Sequence, residues 1–360
     1  MEYPKTPSAD DFMSYYEITD KVMSQYDRHI VSIENIKFKD TDKQRAVYKI
    51  STTDGTHCLK KVYYNKADLL FIYSVVEWLN LNSIHCPRFI STKKGIKYAE
   101  YKGNLFILTE WIEGRKCNYD LIEDINQAAF CLGRIHKTSY GFKPIAGSNC
   151  RTNGDQYFSS LNKHFLQLLE LYNTASSLRD NFSRLYLETF DYNADAAKES
   201  IEIYSKIDTS KPIGDRVSMS AICHHDYVNK NIIFSQDNHI YIIDFDRTAM
   251  DMPVHDIISF IKRIMKRDNT CWDFNVFKSS MESYEQARQI SYNEYLLILS
   301  YLMFPHKYWK ISRDYYKNIS QCNKEAFLTI LKKICKKNKN HGEFCLELKD
   351  YIENRFDKKI

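Results

Sequence analysis

The segment His224-His225-Asp226-Tyr227-Val228-Asn229-Lys230-Asn231, followed by Asp244-Phe245-Asp246, constrains this chain more than any other. An aspartate stands five residues before an asparagine, and another aspartate follows thirteen residues after that asparagine. The flanks read as strands. Residues 221–223 form a short apolar run into the loop, 231–234 a run out of it, 235–238 a polar turn, and 239–243 a β-branched run that delivers Asp244. Two strands joined by a polar turn bring the Asp226 loop and Asp244 to the same end of a hairpin. An ordinary hairpin with polar ends is the plain alternative. His224, both strands and the second aspartate in register favour a reactive loop.

These residue types fit one chemistry. Phosphoryl transfer needs a carboxylate to orient and deprotonate an attacking hydroxyl, and hard oxygen ligands to hold Mg²⁺ against the phosphates of ATP. Asp226 suits the first role, and His224 at the head of its loop is the second catalytic candidate. Asn231 and Asp244 suit the second, and Asp246 offers a further metal contact.

With 360 residues, the chain is long enough for two domains or lobes with cores of their own. Hydrophobic residues make up 44% and charged residues 27%, ordinary values for a globular protein. No apolar run approaches the ~20 residues of a membrane span. The start, Met1-Glu2-Tyr3-Pro4-Lys5, lacks the basic and apolar regions of a signal peptide, so cytoplasmic synthesis is expected. A net charge of +5 with dispersed basic residues favours anionic ligands weakly and gives no argument for nucleic acid. The exception, the basic run 332–339, reads as a solvated helix end. Ten cysteines include no C-x-x-C pair, which argues against zinc and for reduced thiols. The 27 tyrosines fit biased codon usage better than tyrosine cross-linking in an assembly.

From the amino end, residues 1–30 look helical but polar. Strands are expected at 30–36, 46–50 and 57–64, then a helix at 65–82 with an apolar stripe, and strands at 97–101 and 104–109. This is a small antiparallel sheet with one helix inserted. Lys60, on the third strand, is the candidate phosphate-binding lysine. It is preferred to Lys61 because Cys58 shares its face, which is expected to be the buried one. Glu77 on the following helix is its candidate ion-pair partner, against the plain alternative of a solvated helix glutamate. Residues 110–114 follow the last strand. There the backbone of Glu110 and Ile112 is placed to read an adenine edge, and Gly114 lets the chain turn. The remainder reads as largely helical, at 122–137, 157–171, 183–207, 257–265 and 292–345. Asp256 reads as a helix N-cap or a brace for the catalytic loop, and His136 as a packed histidine. Asp273, Glu282 and Glu285 are carboxylates available to a cationic acceptor.

Protein kinases pair H-R-D-x-x-x-x-N with D-F-G in the same layout. Lys60, residues 110–114, loop 224–231 and Asp244 resemble more closely the aminoglycoside phosphotransferase and choline kinase branch, which reads H-G-D-x-x-x-x-N and D-W/F-D/E. Residues 59–62, 111–115, 132–142 and 304–310 look like CotS-type spore coat proteins, with similarity running from about 30 to about 330. The resemblance implies an α+β, bilobal protein-kinase-like fold: a small antiparallel-sheet N-lobe at 1–109, a hinge at 110–114, and a larger, mainly helical C-lobe at 115–360 that carries the catalytic hairpins, 221–246. It implies ATP and Mg²⁺ as cofactors, a small-molecule acceptor, other coat proteins as partners, synthesis in the mother cell and residence in the spore coat. The alternative is an inactive kinase scaffold that serves the coat structurally. A protein kinase ranks last, for want of a D-F-G to A-P-E activation segment. Two departures from the pattern stand out. No glycine occurs in 38–46, where a Gly-rich loop would cradle phosphates, leaving Lys43 or Arg45 to contact them. His225 replaces the usual glycine beside the catalytic aspartate, where it either crowds the loop or joins the site.

Overall fold

Residues 13–39, 45–152, 160–207 and 220–360 are described in the computed structural model. The chain divides into two compact units.

The first unit takes in 1–117, 140–151 and 229–248. After a turn of π-helix at Glu17–Val22, five strands form an antiparallel sheet in the order β1-β2-β3-β5-β4. They are β1 (Ile30–Lys39), β2 (Arg45–Thr52), β3 (Gly55–Val62), β4 (Ala99–Tyr101) and β5 (Asn104–Glu110). Alternation sorts their side chains. Tyr48, Leu59 and Leu108 are cross-strand neighbours and join one buried cluster with Val22, Met23 and Tyr26. Val47, Lys60 and Ile107, one step along, lie on the other face.

Helix α1 (Lys66–Leu81) follows, capped by the Asn65 side chain, which accepts from the Asp68 N–H. Phe142 packs edge-on against its Phe71 and Trp78, which draws segment 140–151 into this unit. A second sheet runs β6 (Arg115–Lys116), β8 (Ile232–Phe234), β9 (Ile240–Ile242). The Ile242 N–H donates to the His85 carbonyl at 3.0 Å, so hairpin 229–248 also belongs to the first unit rather than to a lobe beginning at 115.

The second unit comprises 118–139, 152–228 and 249–360. Its helices are α2 (Ile122–Thr138), α3 (Leu161–Ser176), α4 (Asn181–Glu188), α5 (Phe190–Ser205), α6 (Pro253–Met265), α7 (Phe274–Glu285), α8 (Tyr292–Met303), α9 (His306–Lys317), α10 (Lys324–Cys335) and α11 (Asn338–Phe356). Sequence periodicity merges several of these. The 183–207 stretch breaks at Thr189, and 292–345 divides at Pro305, at the Asn323 cap and again between α10 and α11. Helix α6 starts with Pro253 in its first turn, four residues before the apolar run, so Asp256 lies inside the helix and is not its cap. One two-stranded sheet pairs β7 (Ala221–Cys223) with β10 (Ala249–Asp251), a strand too short for alternation to reveal. Gly133 is where α2 meets α7: a Cβ there would overlap the Tyr284 carbonyl. No helix among the described residues is long and apolar enough to cross a membrane.

Candidate functional site

Lys60 stands on β3 on the sheet face away from the main cluster. Lys60, preferred to Lys61 because Cys58 shares its face, does not stand on a sealed face of the strand. His57 and Leu59 are buried on one face; on the other, Cys58 and Lys60 are partly buried and Val62 is buried. That partial burial leaves an ammonium room to meet ligands.

It meets two carboxylates. Lys60 Nζ donates to Asp244 Oδ1 at 2.6 Å and lies 2.8 Å from Asp246 Oδ1. Burial disfavours the charged lysine, but Asp246 and Asp244 outweigh it and hold the ammonium well above its ordinary value. Glu77, the expected partner, makes no ion pair with Lys60. It is half-buried on α1, and the two aspartates take its place.

The hairpin explains how those aspartates arrive. Ile232 pairs with Ile242, and the Ile243 N–H donates to the Asn231 carbonyl at 3.0 Å, which joins Asn231 and Asp244 at one end. Asp244 then takes a left-handed backbone (φ +67°) that turns the chain into a short 3₁₀ segment, Phe245–Arg247. The turn buries Asp246, 4% exposed, behind Asp244. Arg151 donates to the Asp246 carbonyl at 2.7 Å, and the Tyr64 hydroxyl lies 3.3 Å from Asp246 Oδ1. Burial, then the Asp246 charge, push the Tyr64 phenol well above its ordinary value. Asp246 Oδ2 is buried with no hydrogen-bond partner among the described residues. An orphaned carboxylate oxygen beside Asp244 and the buried Asn231 is a donor set of the kind that suits Mg²⁺.

Asp226 lies on a loop held from below by α6. The Asp256 carboxylate, fully buried, accepts from the backbone N–H groups of His224 at 2.6 Å and His225 at 2.9 Å. His136 Nε2 sits 3.6 Å from the same carboxylate, and its Nδ1 is 2.7 Å from the Tyr284 hydroxyl. Burial disfavours the Asp256 anion, but His136 and the other histidines reverse this and bring its pKa down to about 2. Asp256 is therefore the loop brace. His224 is itself buried, and its Nδ1 accepts from the Asp226 N–H at 3.2 Å, so it shapes the loop. Arg263 Nη2 is 4.0 Å from Asp226 Oδ1.

Residues 27–348 match the family described as "Spore coat putative kinase YutH". The chain belongs to that family. It is 20% identical to spore coat protein S of Bacillus subtilis (strain 168), over 83% of this chain and 84% of that protein. Among solved structures, an aminoglycoside phosphotransferase from Alicyclobacillus acidocaldarius superposes with a TM-score of 0.78 at 19% identity, covering 98% of each chain. Spectinomycin phosphotransferase APH(9)-Ia, in complex with ADP and spectinomycin, gives 0.58 at 16% identity over 92% of this chain and 99% of that one. The fold is thus kinase-like: an antiparallel-sheet amino-terminal region and a mainly helical carboxyl-terminal part.

Within this spore coat family, the two departures read from the sequence have different outcomes. His225 takes the left-handed conformation (φ +56°) that glycine adopts easily, and its Nε2 lies 3.2 Å from Asp251 Oδ2. Asp251 also pairs with His255 Nδ1 at 2.7 Å. The imidazole thus meets the carboxylate of the strand that pairs with residues 221–223. The sequence reading missed Asp251, although its place just before Met252-Pro253 and the helix was a signal. Lys43, in the glycine-free stretch, lies outside the described residues, as does the side chain of Arg45.

Residues 110–114 are arranged by backbone bonds. Glu110 N–H donates to the Arg88 carbonyl at 3.2 Å, and Trp111 N–H to the Thr56 carbonyl at 3.1 Å. The Glu110 carboxylate accepts from the Arg88 N–H at 2.9 Å, and Ile112 is half-buried. Gly114 (φ +156°) lies so close to Phe234 that a Cβ would overlap its carbonyl, so glycine is needed for close approach as well as for turning.

Proposed function

We propose that the chain binds ATP with Mg²⁺ and transfers its γ-phosphoryl group to a hydroxyl of a small polar molecule, as a constituent of the spore coat. The supporting observation is the Lys60–Asp244–Asp246 cluster. Two carboxylates face one ammonium, one carboxylate oxygen has no partner among the described residues, and a site so charged and sheltered attracts a divalent cation.

Asn231, Asp244 and Asp246 would hold the metal. The metal would supply positive charge to offset that of the transferring group. Lys60, released from one aspartate, would contact the phosphates. The Glu110 carbonyl and the Ile112 N–H would read the adenine edge. Asp226 would accept the hydroxyl proton, on a loop kept in shape by His224 and Asp256. Glu77 is left with no part in holding Lys60.

The test is binding of MgATP to the full chain by thermal shift, with Lys60→Met and Asp244→Asn beside the wild type. Stabilisation that both variants lose supports the reading, and an unmoved wild-type midpoint at millimolar MgATP overturns it. A second reading, a coat scaffold without turnover, draws on the missing glycines between residues 38 and 46. It requires an Asp226→Asn/Asp244→Asn double variant to enter the coat normally.

A further inference from the structure

The second unit carries a strip of cations that reaches Asp226 through Arg263 and includes lysines with no carboxylate partner among the described residues. Lys262 and Lys266 are one turn apart at the end of α6, both half-buried. Lys262 Nζ donates to the Tyr301 hydroxyl at 2.9 Å and lies 4.8 Å from that ring. The His306 ring, 4.1 Å from the Tyr301 ring, has a buried Nε2 with no hydrogen-bond partner among the described residues. Arg263 continues the strip to Asp226, 4.0 Å away. Among the described residues, no carboxylate pairs with Lys262, Lys266 or Lys307.

Such an arrangement is costly in an empty protein. Like charges one turn apart repel, and burial disfavours each charged form. Burial, then Arg263 and Lys307, bring Lys262 down to about 8. Burial, then Lys262 and Lys307, bring Lys266 down to about 7. Burial and the same two α6 lysines push His306 well below its ordinary value. An anion docked among these groups would supply the missing countercharge. The carboxylates first considered for a cationic acceptor are elsewhere engaged or exposed: Asp273 caps α7, Glu285 pairs with Arg355 at 2.8 Å, and Glu282 faces solvent.

We infer that the phosphoryl acceptor is itself anionic, a small hydroxyl compound bearing a phosphate or carboxylate group that Lys262, Lys266 and His306 hold. This deepens the phosphotransferase reading and rests on it for the transfer step. In that step the acceptor oxygen bonds to the γ-phosphorus, the bond from that phosphorus to ADP breaks with its electron pair leaving on ADP, and the hydroxyl proton passes to Asp226. Arg263, next to Lys262 in the chain and 4.0 Å from Asp226, is the group that would position the acceptor.

The experiment is isothermal titration of the full chain with glucose 6-phosphate, glucuronate and glucose, in two buffers of different ionisation enthalpy at pH 7.5. The same titrations use Lys262→Gln/Lys266→Gln, with Lys198→Gln on the solvent face of α5 as control. The inference expects at least one anionic sugar to bind tenfold or more tightly than glucose, with proton uptake as the lysines charge. It expects the double variant to lose that preference, and the control to keep it. Glucose 6-phosphate against glucuronate tells phosphate from carboxylate. Equal binding of all three sugars, or a preference untouched in the double variant, overturns it. MgATP is titrated in parallel. If MgATP fails to bind the wild type while the lysine-dependent preference holds, the anion site stands and the transfer reading falls. The double variant removes mutual repulsion and should fold, which far-UV circular dichroism checks.

Discussion

Replacing Asp256 tests how the catalytic loop is held. Its carboxylate is fully buried and accepts two backbone N–H groups, from His224 and His225, with His136 as a third neighbour. Asp256→Ala leaves both N–H groups without a partner, at about 1–3 kcal/mol for each one that stays buried. An independent figure comes from titration: a fall from 3.8 to about 2 corresponds to ~2 kcal/mol favouring the charged form. The two views overlap, so the expected loss is about 3 kcal/mol, the size seen when one partner of a buried pair is removed. Asp256→Asn keeps one acceptor oxygen and should lose less. Urea unfolding at pH 7, followed by far-UV circular dichroism, measures both. The sign with pH is fixed. The folded-state pKa is depressed, so the Asp256 contribution is complete above about 3.8 and fades as pH falls toward about 2. The wild-type advantage over Asp256→Ala should therefore shrink below pH 3.8. A loss under about 1 kcal/mol at pH 7, or one independent of pH across that window, would refute the brace.

Further outcomes are expected from other positions. His225→Gly should be more stable than His225→Ala by about 1 kcal/mol, because the left-handed backbone there penalises any Cβ; chemical denaturation of the pair decides it. Gly133→Leu should destabilise by several kcal/mol, on the order of 3, through overlap with the Tyr284 carbonyl, and a midpoint unchanged in urea would contradict that packing. Lys266 has a folded-state pKa depressed to about 7, so the unfolded chain holds more protons from there up to 10.5, and its presence makes stability rise with pH in that window. The stability difference between wild type and Lys266→Met should therefore change between pH 7 and pH 9, and parallel pH profiles would contradict the shift.

What could be read from the sequence divides along physical lines. Strong local patterns, such as the β-branched runs around Asp244 and the stripe of α1, specified their elements because period and turn chemistry agree there. The two apolar runs and the polar turn between them predict a hairpin that brings the Asp226 loop and Asp244 to one end, and the hairpin forms with Asn231 and Asp244 joined there. Face assignment failed for Lys60, since both strand faces carry apolar neighbours and only the three-dimensional sheet shows which is sealed by Val22 and Tyr26. Glu77 failed for a related reason: an acid on a helix says nothing of which cation it will meet, and Lys60 finds Asp246, 186 positions away, instead. The His225–Asp251 contact and the lysine strip along α6 depend on long-range packing, which no local pattern encodes.

The central claim is that Lys60, Asp244 and Asp246 form a site for metal-bound nucleotide. Calorimetric titration of MgATP into wild type, Asp244→Asn and Asp246→Asn tests it most directly. The account predicts Mg²⁺-dependent binding in the wild type, with a stabilisation of about 2.7 kcal/mol at a hundredfold excess over the dissociation constant, and binding at least tenfold weaker in each variant. Absence of binding in the wild type, or affinity unchanged by the loss of either carboxylate, would contradict it.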